Sequence, residues 1–329
     1  MTADITAPFP VVLASALETP EAAKPPWLIE QLWTHQAVGI IGGAPKSCKT
    51  WLALEMAVAV ASGSPCLNSF TVPSAGRVLL YAAEDSASAL RLRLESLAIH
   101  HGCDLATLDV RVITAESLRL DSEADQKRLE MTLILHRPVL LLLDPLVRLH
   151  SIDENAAGEI AALLGYLRGL QRRSNVAIGL VHHARKNVSV SGGAGYSLRG
   201  SSDLYAWVDS FLYLRRHQDQ LTLSAEHRSA SGTGPITLEL VESQTSGPYL
   251  KLAATSALQS PAEDPIFNRI LELLRTSPQP RTTESLRNDL QVRNQRLVEA
   301  LRLLSQQRKV VRSSQGYALP TVSTPSLTL

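Results

Sequence analysis

From Trp27 onward, short apolar runs alternate with longer stretches of helical period. The runs "AVGIIGG" (37–43), "VLLYAAE" (78–84), "VLLLLD" (139–144) and "VAIGLVHH" (176–183) are apolar on both faces until they end. Around them lie helix-like segments over 50–62, 86–101, 123–136 and 155–173. Strands of this kind separated by helices predict a parallel sheet covered on both sides. After Asp209 the pattern changes to closely spaced alternating runs, "SFLYLRR", "LTLSAE" and "PITLELVE". These predict antiparallel strands or a hairpin added to that sheet.

The rest of the chain has a different grammar. Residues 1–25 are rich in Ala, Pro and Thr with no period and read as a flexible arm. "AATSALQSPAED" (253–264) reads as a linker between a large domain over 26–252 and a small one over 265–320, with a tail at 321–329. In the small domain, "PIFNRILELLRT" has helical spacing, and "TTESLRNDL" follows with Thr282 or Thr283 available as N-cap. "RNQRLVEALRLLSQQRK" then sets Leu297, Leu301 and Leu304 on one face, and "KVVRSSQGYALP" reads as two strands around Gln315-Gly316. Three helices and a hairpin, in that order, predict a winged helix-turn-helix. Its third helix would begin with Arg293, Asn294, Gln295 and Arg296, residue types that suit major-groove edges and phosphates. The alternative is a protein-interaction domain with a solvated basic face.

Charge sharpens that choice. The whole chain of 329 residues carries a net +1, yet 265–320 holds ten cations (nine Arg and Lys309) against four anions, a net +6. A basic small domain beside a mildly acidic large one suggests a polyanionic partner such as nucleic acid. No apolar run reaches the ~18 residues of a membrane span, and "MTADITAPFP" lacks the layout of a signal peptide. Cys48, Cys66 and Cys103 form no spaced framework, so a reducing cytoplasm is expected.

The chemistry begins at residues 43–50, "GAPKSCKT". A phosphate-binding loop reads G-x-x-x-x-G-K-[ST], and only the second glycine is replaced, by Cys48. Such a loop wraps backbone N–H groups around phosphates, with a helix N-terminus behind them. Gly43, Ala44, Pro45, Lys46, Ser47 and Cys48 would form the cradle for ATP. Lys49 would reach the β- and γ-phosphates, and Thr50 would ligate Mg²⁺. Cys48 keeps its backbone N–H, and a left-handed conformation there would cost on the order of 1–2 kcal/mol. Beside Lys49 at a helix N-terminus the thiol would favour thiolate and redox sensitivity; the plainer alternative is a tolerated small side chain.

Two strands end in carboxylates. Asp144, after five apolar residues, is the expected second Mg²⁺ anchor. Glu84 could polarise the attacking water, and Asp85 could merely cap the helix that follows. His182 and His183 are adjacent on a strand and point to opposite sides. One of them suits a γ-phosphate sensor and the other the core.

Several segments occur together in one order and spacing: "GAPKSCKTWLAL", "AAEDSASALRLRLESL", "LLLLDPLVRLHSIDENAAGEIAALLGYL", "LVHHARK" and "GGAGYSLRGSSDLYAWVDSFLYL". Over about residues 27–250 the chain resembles the RepA-like plasmid replicative helicases, RecA-fold ATPases related to the DnaB group. The resemblance implies an α/β, RecA-like P-loop NTPase core that assembles as a ring, usually a hexamer, with ATP between neighbouring subunits. It implies roles for Lys49 and Thr50 at phosphate and Mg²⁺, Glu84 as catalytic acid/base, Asp144 at Mg²⁺ and His183 as γ-phosphate sensor. Arg148, Arg185 and Lys186 fall in segments that match loops facing single-stranded DNA in the channel. Arg228 falls on the finger position that reaches a neighbour's ATP, and Arg199 is a second candidate. Many relatives carry Lys two residues before the finger, where this chain has Glu226. Two other functions fit the same residues: a nucleotide-sensing DNA-binding adaptor or loader, and a recombinase-type filament ATPase.

Overall fold

The computed structural model describes residues 11–16, 27–153, 157–183, 202–217, 220–243, 247–253, 265–277, 279–292, 309–313 and 316–320, with 297–298, 300–301 and 304–305. The chain divides into two compact units, Met1–Ala257 and Leu258–Leu329.

The first unit is built on one nine-stranded sheet of mixed direction. Its parallel part comprises β3 (Val38–Gly43), β4 (Val78–Ala82), β5 (Val110–Val112), β6 (Leu140–Asp144), β7 (Ala177–His183) and β8 (Ser210–His217). β9 (Gln220–His227), β10 (Thr233–Ser243) and β11 (Gly247–Leu252) continue it as an antiparallel meander. The order is β11-β10-β9-β8-β3-β7-β6-β4-β5. A small ribbon, β1 (Trp27–Ile29) and β2 (Trp33–Thr34), precedes it. The helices α1 (Lys49–Ser62), α2 (Ala87–His100), α3 (Glu123–His136) and α4 (Ala157–Ser174) lie within two residues of the bounds expected from periodicity, and a short α5 (Ser202–Trp207) precedes β8.

"SFLYLRR" was expected among antiparallel strands. It is β8, and it runs parallel to β3 on one edge and antiparallel to β9 on the other. The strand has to serve both halves of the sheet, so its apolar residues Phe211, Leu212 and Leu214 face both covering layers and are all buried. One layer joins α1 and α2 through Leu52, Met56, Leu90 and Leu94, and the other joins α3 and α4 through Leu129, Leu133, Ile160 and Leu167. β3 lies between β7 and β8, and Gly39 makes that tight packing possible. A Cβ there would run into the Ser210 carbonyl and meet the Trp33 ring at 2.6 Å. Among the described residues, no helix is long and apolar enough to cross a membrane.

In the second unit, α6 (Pro265–Thr276) and α7 (Thr283–Leu290) pack Ile266, Ile270, Leu274, Leu286 and Leu290 against Leu297, Leu301 and Leu304. Thr282 is the N-cap of α7, its hydroxyl accepting from the Ser285 N–H at 3.2 Å. β12 (Val311–Ser313) and β13 (Gly316–Ala318) form a hairpin, and Tyr317 also bridges to Arg281. Arg293, Asn294, Gln295 and Arg296 lie outside the described residues.

Candidate active site

Parallel strands place their C-terminal ends, and the loops that follow, on one edge of the sheet. Register then brings the candidate residues together: Gly43 at the end of β3 stands beside His183 on β7, and Asp144 on β6 stands beside Ala82 on β4. A cleft of about 650 Å³ at this edge is lined by Lys46–Trp51, Glu84, Asp85, Arg93, Asp144, His183 and Arg216, among others.

The loop between β3 and α1 has the curvature of an anion cradle. Lys46 (φ 64°) and Cys48 (φ 63°, ψ 25°) are both left-handed, which turns successive N–H groups toward one side. A Cβ on Gly43 would strike the Leu214 carbonyl and meet the Ser47 Oγ at 2.5 Å. The Ser47 hydroxyl is buried without a hydrogen-bond partner among the described residues. Lys49 is buried, and its Nζ donates to the Ala44 carbonyl at 2.8 Å. Burial pushes its ammonium below the ordinary lysine value, opposed by the charges of Asp144, Cys48 and Glu84. An unpartnered buried hydroxyl, a desolvated ammonium and a helix N-terminus form a donor set that fits a polyphosphate.

Cys48 therefore occupies a position that requires the left-handed conformation. It has no side-chain capping bond; the Arg216 guanidinium instead donates to its Sγ at 3.3 Å. Glycine relieves the backbone cost there but adds freedom to the unfolded chain. Cys48→Gly is expected to raise stability by a net of about 0.5–1 kcal/mol, and Cys48→Val to lower it by more, because a β-branched residue is a true outlier at positive φ. Paired thermal melts check both signs; a Cys48→Val protein as stable as wild type contradicts the assignment.

On the far side of the cleft, Asp144 is the acid under most strain. Burial pushes its carboxyl up to about 6, and the charges of Asp85 and Glu84 add to the shift. A hydrogen bond from Thr50 and the charge of Lys49 oppose it. Thr50 and Asp144 are thus hydrogen-bonded to each other, which places a direct Mg²⁺ ligand beside a carboxylate that would anchor the ion through water. Glu84, just beyond β4, accepts from Arg148 Nε at 2.8 Å. Both side chains are at least half exposed. Arg148 closes the short 3-10 turn Leu146–Arg148 directly after Asp144.

Asp85 does not cap α2. That cap is Ser86, whose hydroxyl accepts from the Ala89 N–H at 3.2 Å. Asp85 pairs instead with Arg93 of α2 at 2.6 Å, and the Arg93 guanidinium lies 5.6 Å from the centre of the Trp51 ring. Arg93, Trp51 and Arg216 are cleft residues that sequence reasoning missed. Arg93 had a signal: it is seven residues past the Ser86 cap, two turns along the face that starts at the cleft. His182 is buried, and His183 lines the cleft.

Arg228 does not line this cleft. Its guanidinium pairs with Asp209 at 3.3 Å and donates to the Ala206 carbonyl at 2.5 Å, leaving the side chain about half exposed. Glu226 accepts from the Tyr205 hydroxyl at 2.6 Å. Arg185, Lys186 and Arg199 lie outside the described residues. Among known families, the model described as an AAA domain matches residues 3–189, more than half of the chain.

Proposed function

We propose that this chain, which belongs to the AAA domain family of nucleotide-hydrolysing ATPases, is a DNA-dependent ATP motor of the RepA-like helicase class. In this reading copies assemble as a ring, six in the usual case, around single-stranded DNA. The basic second unit is a winged helix that meets duplex DNA through Arg293, Asn294 and Arg296.

Lys49 and the loop from Gly43 to Cys48 hold and orient the phosphates of ATP. Thr50 and Asp144 would hold Mg²⁺, which when bound would supply positive charge at those phosphates. Glu84 takes the proton of the attacking water, and His183 senses the γ-phosphate. Arg228 or Arg199 of a neighbouring copy completes the charge stabilisation, which in trans can be worth orders of magnitude in rate.

The observation that carries DNA dependence is the Glu84–Arg148 pair. It joins the candidate base to the segment after Asp144 that is expected to face DNA. An exposed pair of this kind contributes no more than about 1 kcal/mol, so a DNA phosphate can compete for Arg148 and free Glu84 for water. Arg148→Ala is accordingly expected to raise DNA-free ATPase several-fold and to shrink the stimulation by single strands by a similar factor. Unchanged basal rate and unchanged stimulation in that variant remove Arg148 from the coupling. Forked-duplex unwinding, assayed beside ATPase, separates a helicase from an adaptor or loader: DNA-stimulated turnover without unwinding favours the latter.

A further inference from the structure

The acid that meets Arg228 holds more partners than the fold requires of it. Asp209 stands just before β8, and its backbone N–H donates to the Val38 carbonyl at 2.8 Å. Its carboxylate accepts in return from the Val38 N–H at 3.2 Å, which pins the side chain to the first residue of β3. Arg168 of α4 grips the same carboxylate with both terminal nitrogens, one to each oxygen. The Arg168 guanidinium also donates to the Trp207 carbonyl at 2.6 Å and lies 5.7 Å from the centre of the Trp207 ring. The Trp207 indole N–H is anchored in turn on the Leu164 carbonyl at 2.9 Å. A carboxylate satisfied in this way needs nothing further to serve the fold.

Arg228 is nevertheless a third partner. At the end of β9 its backbone N–H donates to the Asp209 carbonyl at 2.9 Å, and its guanidinium reaches the Asp209 carboxylate and the Ala206 carbonyl of α5. The side chains of Asp209 and Arg168 are only 20% and 21% exposed, whereas that of Arg228 is 53% exposed. A braced inner acid therefore carries an outward-facing cation. The double contact of Asp209 is with Arg168, so it does not neutralise Arg228 one for one. Glu226, two residues earlier on β9, is held at the Tyr205 hydroxyl at 2.6 Å.

Position decides whose anion Arg228 can meet. Val38 begins β3 and Gly43 ends it, and strand residues at ~3.3 Å apiece separate the two by about 16 Å. Asp209 and Arg228 gather at the Val38 end, and the phosphate loop follows the Gly43 end. A phosphate that reaches Arg228 is accordingly not the one in its own cleft.

We infer that Asp209, braced by Arg168, is a positioning residue that holds Arg228 ready for the γ-phosphate of a neighbouring copy's ATP. A long side chain loses rotamer freedom when it is fixed. A guanidinium aimed beforehand stabilises developing charge with no reorganisation at the moment of reaction. This role deepens the in-trans reading of Arg228 given above and rests on it.

Asp209→Asn keeps an acceptor for the Val38 N–H and loses the charge that holds Arg228. DNA-stimulated kcat is expected to fall at least tenfold, with ATP affinity and the sedimentation of the assembly within twofold of wild type. Subunit mixing then separates aim from fold. Asp209→Asn copies are mixed without nucleotide with Lys49→Ala copies, and ATP and single-stranded DNA are added. An Asp209→Asn cleft beside a Lys49→Ala neighbour receives an intact Arg228, so the mixture should turn over at least threefold faster than its parts summed. Arg228→Ala mixed with Lys49→Ala is the reference and should recover alike. Wild-type turnover by Asp209→Asn, or no recovery where Arg228→Ala recovers, overturns the positioning role and leaves Arg228 standing. Wild-type turnover by Arg228→Ala, or its failure to recover, overturns the in-trans reading and the positioning role together. If Asp209→Asn does not fold, Asp209→Glu keeps the charge and moves Arg228 by one methylene. It is mixed and judged in the same way, because a displacement of about 1 Å can cost about a hundredfold in rate.

Discussion

Glu84→Gln is expected to lose ATP turnover by about a hundredfold or more while still binding ATP. General-base assistance is typically worth 10²–10⁴ in rate, and glutamine keeps the size of the side chain but not its basicity. The competing idea is that Glu84 only anchors Arg148. An exposed pair contributes about 0–1 kcal/mol, so on that idea the variant loses a degree or two of melting temperature and keeps its rate. The pair is lost under both readings, so the rate is what separates them. Single-turnover hydrolysis measured with a nucleotide-binding titration and a thermal melt tells them apart. A Glu84→Gln protein that hydrolyses ATP at the wild-type rate removes Glu84 from the chemistry. The binding arm matters too, because retained affinity shows that Lys49 and the loop act without it.

The sheet and its edge were legible because they rest on local rules. An apolar run ending in a single acid, as at Asp144, can be satisfied only at the end of a buried strand, so the cleft's acids announce themselves. The double role of β8 was not legible: strand direction depends on which neighbours it finds, and "SFLYLRR" has the same pattern either way. Asp85 was ambiguous for a related reason. An acid before a helix is a cap by propensity, but Ser86 stands one residue closer and took that bond, leaving Asp85 for Arg93. Likewise the need for positive φ at Cys48 was visible only as the glycine the motif usually carries there; the structure supplies the angle. The Glu84–Arg148 pair joins residues 64 apart, and no spacing rule reaches that far.

Asp144→Asn is expected to abolish Mg²⁺-dependent hydrolysis and yet make the metal-free protein more stable. The carboxyl is pushed up to about 6 from 3.8, chiefly by burial, so its charged form is disfavoured in the folded state. Two pKa units correspond to about 3 kcal/mol at neutral pH. Asparagine escapes that cost but leaves Lys49 with one less counter-charge, so a net gain of about 1–2 kcal/mol is the expectation. The sign with pH follows. Between 3.8 and about 6 the folded carboxyl holds a proton that the unfolded one has released, so wild-type stability from this group falls as pH rises through that window. Asparagine does not titrate, so the two proteins should diverge in melting temperature from pH 4 to pH 6 and run parallel above it. The difference at the plateau should be a few degrees, measured in EDTA. Magnesium must displace the proton, so wild-type Mg²⁺ affinity should weaken below about pH 6. A variant less stable than wild type at pH 7, or a gap that does not change between pH 4 and pH 6, shows that Asp144 is a structural carboxylate satisfied by Thr50 rather than one held in readiness for a cation.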